Sequence, residues 1–191
     1  MMEVLQSISL GWLLKDYYYD TYSSVVGYNT LRTMLSIAAV TNEKISQADI
    51  GNAYVESSPD EDTAVYCTQA PGLEEADPAE YVYKMNRSLY GIPFSGRTFQ
   101  RVIEEFMDSL GFKRCVSDKC VYIKWENGKR IVVLTYVDDL ISMTSCDKLR
   151  KWWKDSLSER FKKVTFSDEC KWILNMKVGR GTNPDGTNWI E

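Results

Sequence analysis

Two adjacent carboxylates, Asp138 and Asp139, lie inside the apolar stretch Ile131–Met143, directly after Tyr136-Val137. The chain has no histidine, which removes every His general base and the Ser-His and Cys-His nucleophiles. Chemistry must therefore rest on carboxylates, hydroxyls, lysines or a metal. An acidic pair in an apolar sheet is costly unless something neutralises it, and a hard divalent cation takes carboxylate oxygens. The competing reading is an Asp-rich β-turn whose side chains face water. A third carboxylate, Asp49, sits near a strand end, where Gly51 interrupts the pattern. If neighbouring strands bring Asp49 beside the acidic turn, three like charges share one small volume and raise each other's pKa unless cations intervene. Two divalent ions bridged by carboxylates are an arrangement that transfers phosphoryl or nucleotidyl groups, and it requires no histidine.

The elements that would position these groups follow from periodicity. Leu31, Met34, Leu35 and Ala38 predict a helix over 29–40, capped by Asn29 or Thr30. Lys44 to Ile50 predicts a strand. After a polar loop over 57–62, strands are expected over 63–69 and 81–85, separated by an acidic loop. Phe99, Val102, Ile103, Phe106 and Leu110, stopped by Gly111, predict a helix over 95–110. Strands over 120–125 and 130–136 flank Asn127-Gly128, a strong hairpin signal. The acidic pair forms the next tight turn, and a strand runs on to Met143. Leu149, Trp152, Trp153, Leu157 and Phe161 predict a third helix over 147–161, and a last strand is expected over 171–178. Short connections between strands imply a mainly antiparallel sheet with helices on one face, an α+β fold.

With 191 residues and 44% hydrophobic content, the chain suits one domain, or one domain with an appendage. No run approaches the length of a membrane span, and the start lacks the basic leader of a signal peptide. Five cysteines at scattered spacing, with no Cys-x-x-Cys, argue against a disulfide framework or a zinc site and suit an intracellular, reducing compartment, cytoplasmic or nuclear. Net charge is −4, yet residues 56–80 hold eight acids and no Lys or Arg, so the remainder is net +4. That permits phosphate contacts without demanding them.

Three motifs stand in order: Gln47-Ala48-Asp49-Ile50-Gly51-Asn52-Ala53-Tyr54, Lys84-Met85-Asn86-Arg87-Ser88-Leu89-Tyr90-Gly91 and Tyr136-Val137-Asp138-Asp139. Residues 16–26, 110–122 and 172–178 supply further matching pieces. Together they resemble the reverse transcriptase (RNA-dependent DNA polymerase) of copia-type LTR retrotransposons over residues 16–180. The resemblance implies an RRM-like polymerase palm with partial fingers. It implies two Mg²⁺ or Mn²⁺ ions on Asp49, Asp138 and Asp139, and nucleotidyl transfer extending a primer on an RNA or DNA template. It makes Tyr54 the ring beneath the incoming sugar, excluding a 2′-hydroxyl, where the other reading is a core aromatic. Ile50 is placed with Tyr54 among the substrate-binding residues. Tyr136 and Val137 would floor the primer end, and the 171–178 segment resembles part of a primer-gripping hairpin. Implied partners are template-primer, deoxynucleoside triphosphates and the remaining polyprotein domains, with no membrane.

Departures from the family pattern bear on activity. A basic strand pair is expected before Asp16, but residues 1–15, left unassigned, carry only Lys15 as a cation. Phe94 stands where a Gln that fixes the nucleotide is expected, and Asn175 replaces a glycine. Residues 181–191 are read as a tail ending before a thumb and RNase H domain. Two functions follow: a polymerase palm, or a catalytically impaired relic acting as a non-catalytic interaction module.

Overall fold

The structure is a computed structural model that describes residues 2–6, 21–59 and 65–191. In chain order its first elements are β1 (Met2–Gln6), α1 (Tyr28–Val40), β2 (Lys44–Ile50), a 3₁₀ turn (Ala53–Glu56), β3 (Tyr66–Cys67), β4 (Tyr81–Met85) and α2 (Ser95–Ser109). Next come β5 (Lys113–Arg114), β6 (Val121–Glu126), β7 (Lys129–Tyr136), β8 (Asp139–Thr144) and α3 (Asp147–Arg160). The remainder is β9 (Val164–Ser167), β10 (Trp172–Ile173), β11 (Met176–Lys177), β12 (Arg180–Thr182) and β13 (Asn188–Ile190). The chain forms two compact units, residues 1–23 with 52–103 and residues 24–51 with 104–191.

In the first unit β1, β4 and β3 form an antiparallel sheet in that order, with Met2 opposite Met85 and Gln6 opposite Tyr81. The N-terminal segment that sequence left unassigned thus supplies a strand. The strand expected over 63–69 is only Tyr66–Cys67 among the described residues, and positions 63 and 64 lie outside them. Residues 16–20 of the matching piece 16–26 and 60–62 of the polar loop also lie outside the described residues. Thr98 links this unit internally: its hydroxyl lies 3.0 Å from both Ser57 Oγ and Ser88 Oγ.

The second unit is built on a six-stranded antiparallel sheet ordered β5-β6-β7-β8-β2-β9. This is the expected α+β arrangement. Ile131, Val132, Val133 and Leu134 of β7 are all fully buried, as a strand covered on both faces requires. One face carries α3, which packs against β7, β8 and β9. Trp153 meets Phe106 at 6.0 Å and Phe112 at 5.6 Å between ring centroids. On the opposite face, Leu31 and Ala38 of α1 join a buried cluster with Ile45, Val132, Leu134, Ile141 and Met143. Helix α1 is therefore an addition to the one-face layout, and the unbroken apolar run of β7 is the physical reason.

Several elements differ from expectation. Helix α1 is capped at Gly27 rather than at Asn29 or Thr30, and the Gly27 N–H donates to Asp118 Oδ2 at 3.2 Å. The strand expected over 171–178 is a tight hairpin, β10–β11, reversed by Leu174 (φ 47°) and Asn175 (φ 65°). Positive φ at both central residues is the I′ pattern. Strand β9 pairs along β2, with Val164 opposite Ile50. Residues read as a tail form most of the β12–β13 hairpin, which lies against α1.

Candidate active site

The acidic turn is built by the β7–β8 hairpin. Tyr136 pairs with Asp139, leaving Val137 and Asp138 as a two-residue loop. Val137 has φ 54°, whereas Asp138 is not in the positive-φ region. Positive φ at the first loop residue alone is the II′ pattern, which favours glycine. For a β-branched side chain this is a strained conformation, costing about 1–3 kcal/mol.

Strand β2 brings the third carboxylate to the turn. Asp49 lies directly opposite Asp139, and the Ile50 N–H donates to the Asp138 carbonyl at 3.1 Å. Alternation along β2 and β8 puts Asp49, Gln47 and Ile45 on one face with Asp139, Ile141 and Met143. Asp49 is exposed, while Asp138 and Asp139 are half-buried. Desolvation raises the Asp49 pKa above the usual carboxylate value, and the charges of Asp138 and Asp139 raise it further; Lys163 opposes them. Asp49 thus lies within the electrostatic reach of both aspartates of the turn.

Lys163 belongs to none of the ordered motifs. Its carbonyl accepts from the Gly51 N–H at 2.8 Å, and a Cβ at Gly51 would lie 2.8 Å from Lys163 Cδ. Glycine there lets the lysine stem lie against the end of β2. Gln47 and Cys170 were also missed as site residues. Gln47 Nε2 donates to Asp139 Oδ1 at 2.9 Å, and Cys170 Sγ donates to Gln47 Oε1 at 3.5 Å. Burial, then the Asp139 charge, push the Cys170 thiol up to about 11. Period-two spacing from Asp49 marks Gln47 as a neighbour; no local signal marks Cys170, which arrives from beyond α3.

A protein-family model described as reverse transcriptase (RNA-dependent DNA polymerase) matches residues 12–183. The chain belongs to the reverse transcriptase family. It is 30% identical over 164 residues to the retrovirus-related Pol polyprotein from transposon RE1 of Arabidopsis thaliana, covering 85% of this chain and 11% of that protein. With the corresponding polyprotein from transposon TNT 1-94 of Nicotiana tabacum it shares 32% identity over 162 residues, 84% of this chain and 12% of that one. The copia-type resemblance carried by the ordered motifs therefore holds, for a chain spanning about one-eighth or less of these relatives' length. A solved telomerase from Candida albicans is similar at a TM-score of 0.42 and 11% identity, over 78% of this chain and 32% of that one, too slight a likeness to build on.

Within this member of the reverse transcriptase family the remaining expected residues have distinct surroundings. Ile50 is buried, so only its backbone faces the turn. Tyr136 is half-buried against the core cluster, on the same face as Asp139. Tyr54 belongs to the first unit, where its ring centroid lies 4.5 Å from Tyr90 and 6.3 Å from Phe99. Phe94 is buried and presents no polar group. Asn175 occupies a positive φ, which asparagine tolerates better than most residues that could replace glycine. Asp49, Asp138 and Asp139 supply carboxylate oxygens, the donor type that a hard divalent cation takes. Among the described residues, no three acidic, Cys or His side chains converge closely enough to hold a metal ion as they stand.

Proposed function

We propose that this chain is the palm, with part of the fingers, of a retrotransposon reverse transcriptase, and that it extends a primer on an RNA or DNA template. The observation that supports this reading is the placement of Asp49 opposite Asp139 with Asp138 in the adjoining turn. It adds to family membership a corner where three carboxylates accumulate charge. Asp49, Asp138 and Asp139 would hold the Mg²⁺ or Mn²⁺ ions, two in number. Bound divalent ions there would supply charge neutralisation for attack by a primer 3′-hydroxyl at the α-phosphorus of a deoxynucleotide. The chain's own residues do the positioning. The Ile50 N–H fixes the Asp138 carbonyl, and the II′ turn sets the two aspartates at the sheet end. Lys163 offsets part of the charge on Asp49.

Tyr54 is proposed to exclude a 2′-hydroxyl, with Tyr90 and Phe99 fixing the ring that does so. The test is extension of a primed RNA template with Mg²⁺ or Mn²⁺, comparing the chain with Asp138→Asn. Incorporation should be lost in the variant; undiminished incorporation would overturn the reading. With Tyr54→Ala, use of ribonucleotides relative to deoxynucleotides should rise about tenfold, the effect of about 1.4 kcal/mol of lost discrimination. An unchanged ratio would return Tyr54 to the role of a core aromatic.

One observation favours the second function, a catalytically impaired interaction module. Phe94 is 5% exposed where the resemblance puts a nucleotide-fixing Gln, so an apolar core contact replaces a polar one. Triad-dependent metal binding without any extension is the result that would select it.

A further inference from the structure

Gln47 precedes Asp49 by two positions on β2, so the two side chains share a face. Its direct partner across the ladder is Ile141, and Asp139 is the diagonal neighbour two residues along β8. A long side chain reaches that distance. Gln47 Nε2 donates to Asp139 Oδ1 at 2.9 Å, while Gln47 Oε1 accepts from Cys170 Sγ at 3.5 Å. An amide has a donor end and an acceptor end, an ionised carboxylate only accepts, and a thiol can donate. The Asp139 contact is made in one orientation of the amide and lost in the flipped one, and in that orientation Oε1 faces the Cys170 thiol. Cys170 is itself buried, and its Sγ also approaches the Trp172 carbonyl at 3.6 Å.

We propose that Gln47 is a positioning residue for Asp139. Its amide, with Cys170 against its oxygen end, holds Asp139 Oδ1 and leaves Oδ2 for a divalent cation. The inference rests on the metal-binding reading above and adds a member that no carboxylate motif contains. Hydrogen-bond partners behind metal-ligating carboxylates typically change metal affinity about 10–100-fold when removed. Gln47→Leu keeps a side chain of similar size and deletes both bonds, and Cys170→Ala deletes only the thiol contact at the amide oxygen.

The test is Mn²⁺ titration of the purified chain followed by electron paramagnetic resonance, with thermal melting of each variant alongside. Gln47→Leu should weaken Mn²⁺ binding about tenfold or more, and Cys170→Ala should weaken it in the same direction by less. A folded Gln47→Leu chain that binds Mn²⁺ as tightly as the wild type would overturn the proposal. A second readout needs no Gln47 variant: the side-chain amide signals of Gln47 in the ¹⁵N-labelled chain should shift on Asp139→Asn substitution. Signals that do not move would also overturn it. Failure of the underlying reading is distinguishable, because then Mn²⁺ binding by the wild type would be unaffected by Asp138→Asn.

Discussion

Asp49 is the carboxylate whose ionisation its neighbours oppose most clearly. It stands opposite Asp139, and its pKa is raised by lost hydration, by Asp138 and by Asp139. A carboxyl whose folded pKa is raised contributes stability that is full below its unfolded pKa and is lost as pH rises through the folded pKa. Without divalent cations at neutral pH, Asp49→Asn should therefore stabilise the chain. A directly opposed like-charge pair is worth about 0.2–1 kcal/mol, or a melting increase of about 1–3 °C at this chain length. The advantage should shrink as pH falls towards 4, where the wild-type carboxyl gains its proton. Thermal melts from pH 4 to 7 in chelator check this, and a destabilised Asn variant at pH 7 would contradict it. At this scale the sequence disclosed much: the absence of histidine, the Asp138–Asp139 pair and Asp49 before Gly51 pointed to carboxylate chemistry. Spacing marked Gln47 only as a neighbour of Asp49 and nothing marked Cys170, because a glutamine and a cysteine carry no chemistry in a pattern until the fold sets their amide and thiol end to end.

The decisive element is the β7–β8 hairpin, because it holds two of the three acids and pairs its second strand with the third. Its loop places Val137 at φ 54°. Glycine at the first position of a II′ turn carries no such penalty. Val137→Gly should accordingly stabilise the chain by about 1 kcal/mol, the lower end of the strain such residues store. A denaturant midpoint that rises with an unchanged slope is the expected result. A midpoint that falls by a similar amount would show that Val137 packing outweighs its strain. Long periodic elements such as α2, α3, β2 and β7 were readable from sequence within a residue or two. The β10–β11 reversal was not, because Leu174 and Asn175 adopt positive φ without a glycine to announce it. Strand β9 was obscured for another reason: it is four residues long, directly after Lys162-Lys163, and its pairing with β2 is made by tertiary contact.

Across the molecule, charge is divided rather than balanced. The eight acids of residues 56–80 give the chain its net −4, and everything else is net +4. The six-stranded sheet with its carboxylate corner belongs to the net-basic remainder, all of it outside 56–80. None of the helices among the described residues is long and apolar enough to cross a membrane. The family was readable because several motifs stood in one order, and each motif maps onto a strand, a turn or a loop that the fold uses. The division into two units was not readable, since no linker composition marks it and α2 contributes residues 95–103 to one unit and 104–109 to the other. The central claim is that Asp49, Asp138 and Asp139 act together as a divalent-cation site. Calorimetric titration of Mn²⁺ into the chain, wild type against Asp138→Asn, tests it most directly. Saturable binding that weakens about tenfold or more in the variant is predicted, because affinity for a hard cation depends on the number of carboxylate ligands. Superimposable isotherms for the two proteins would contradict it.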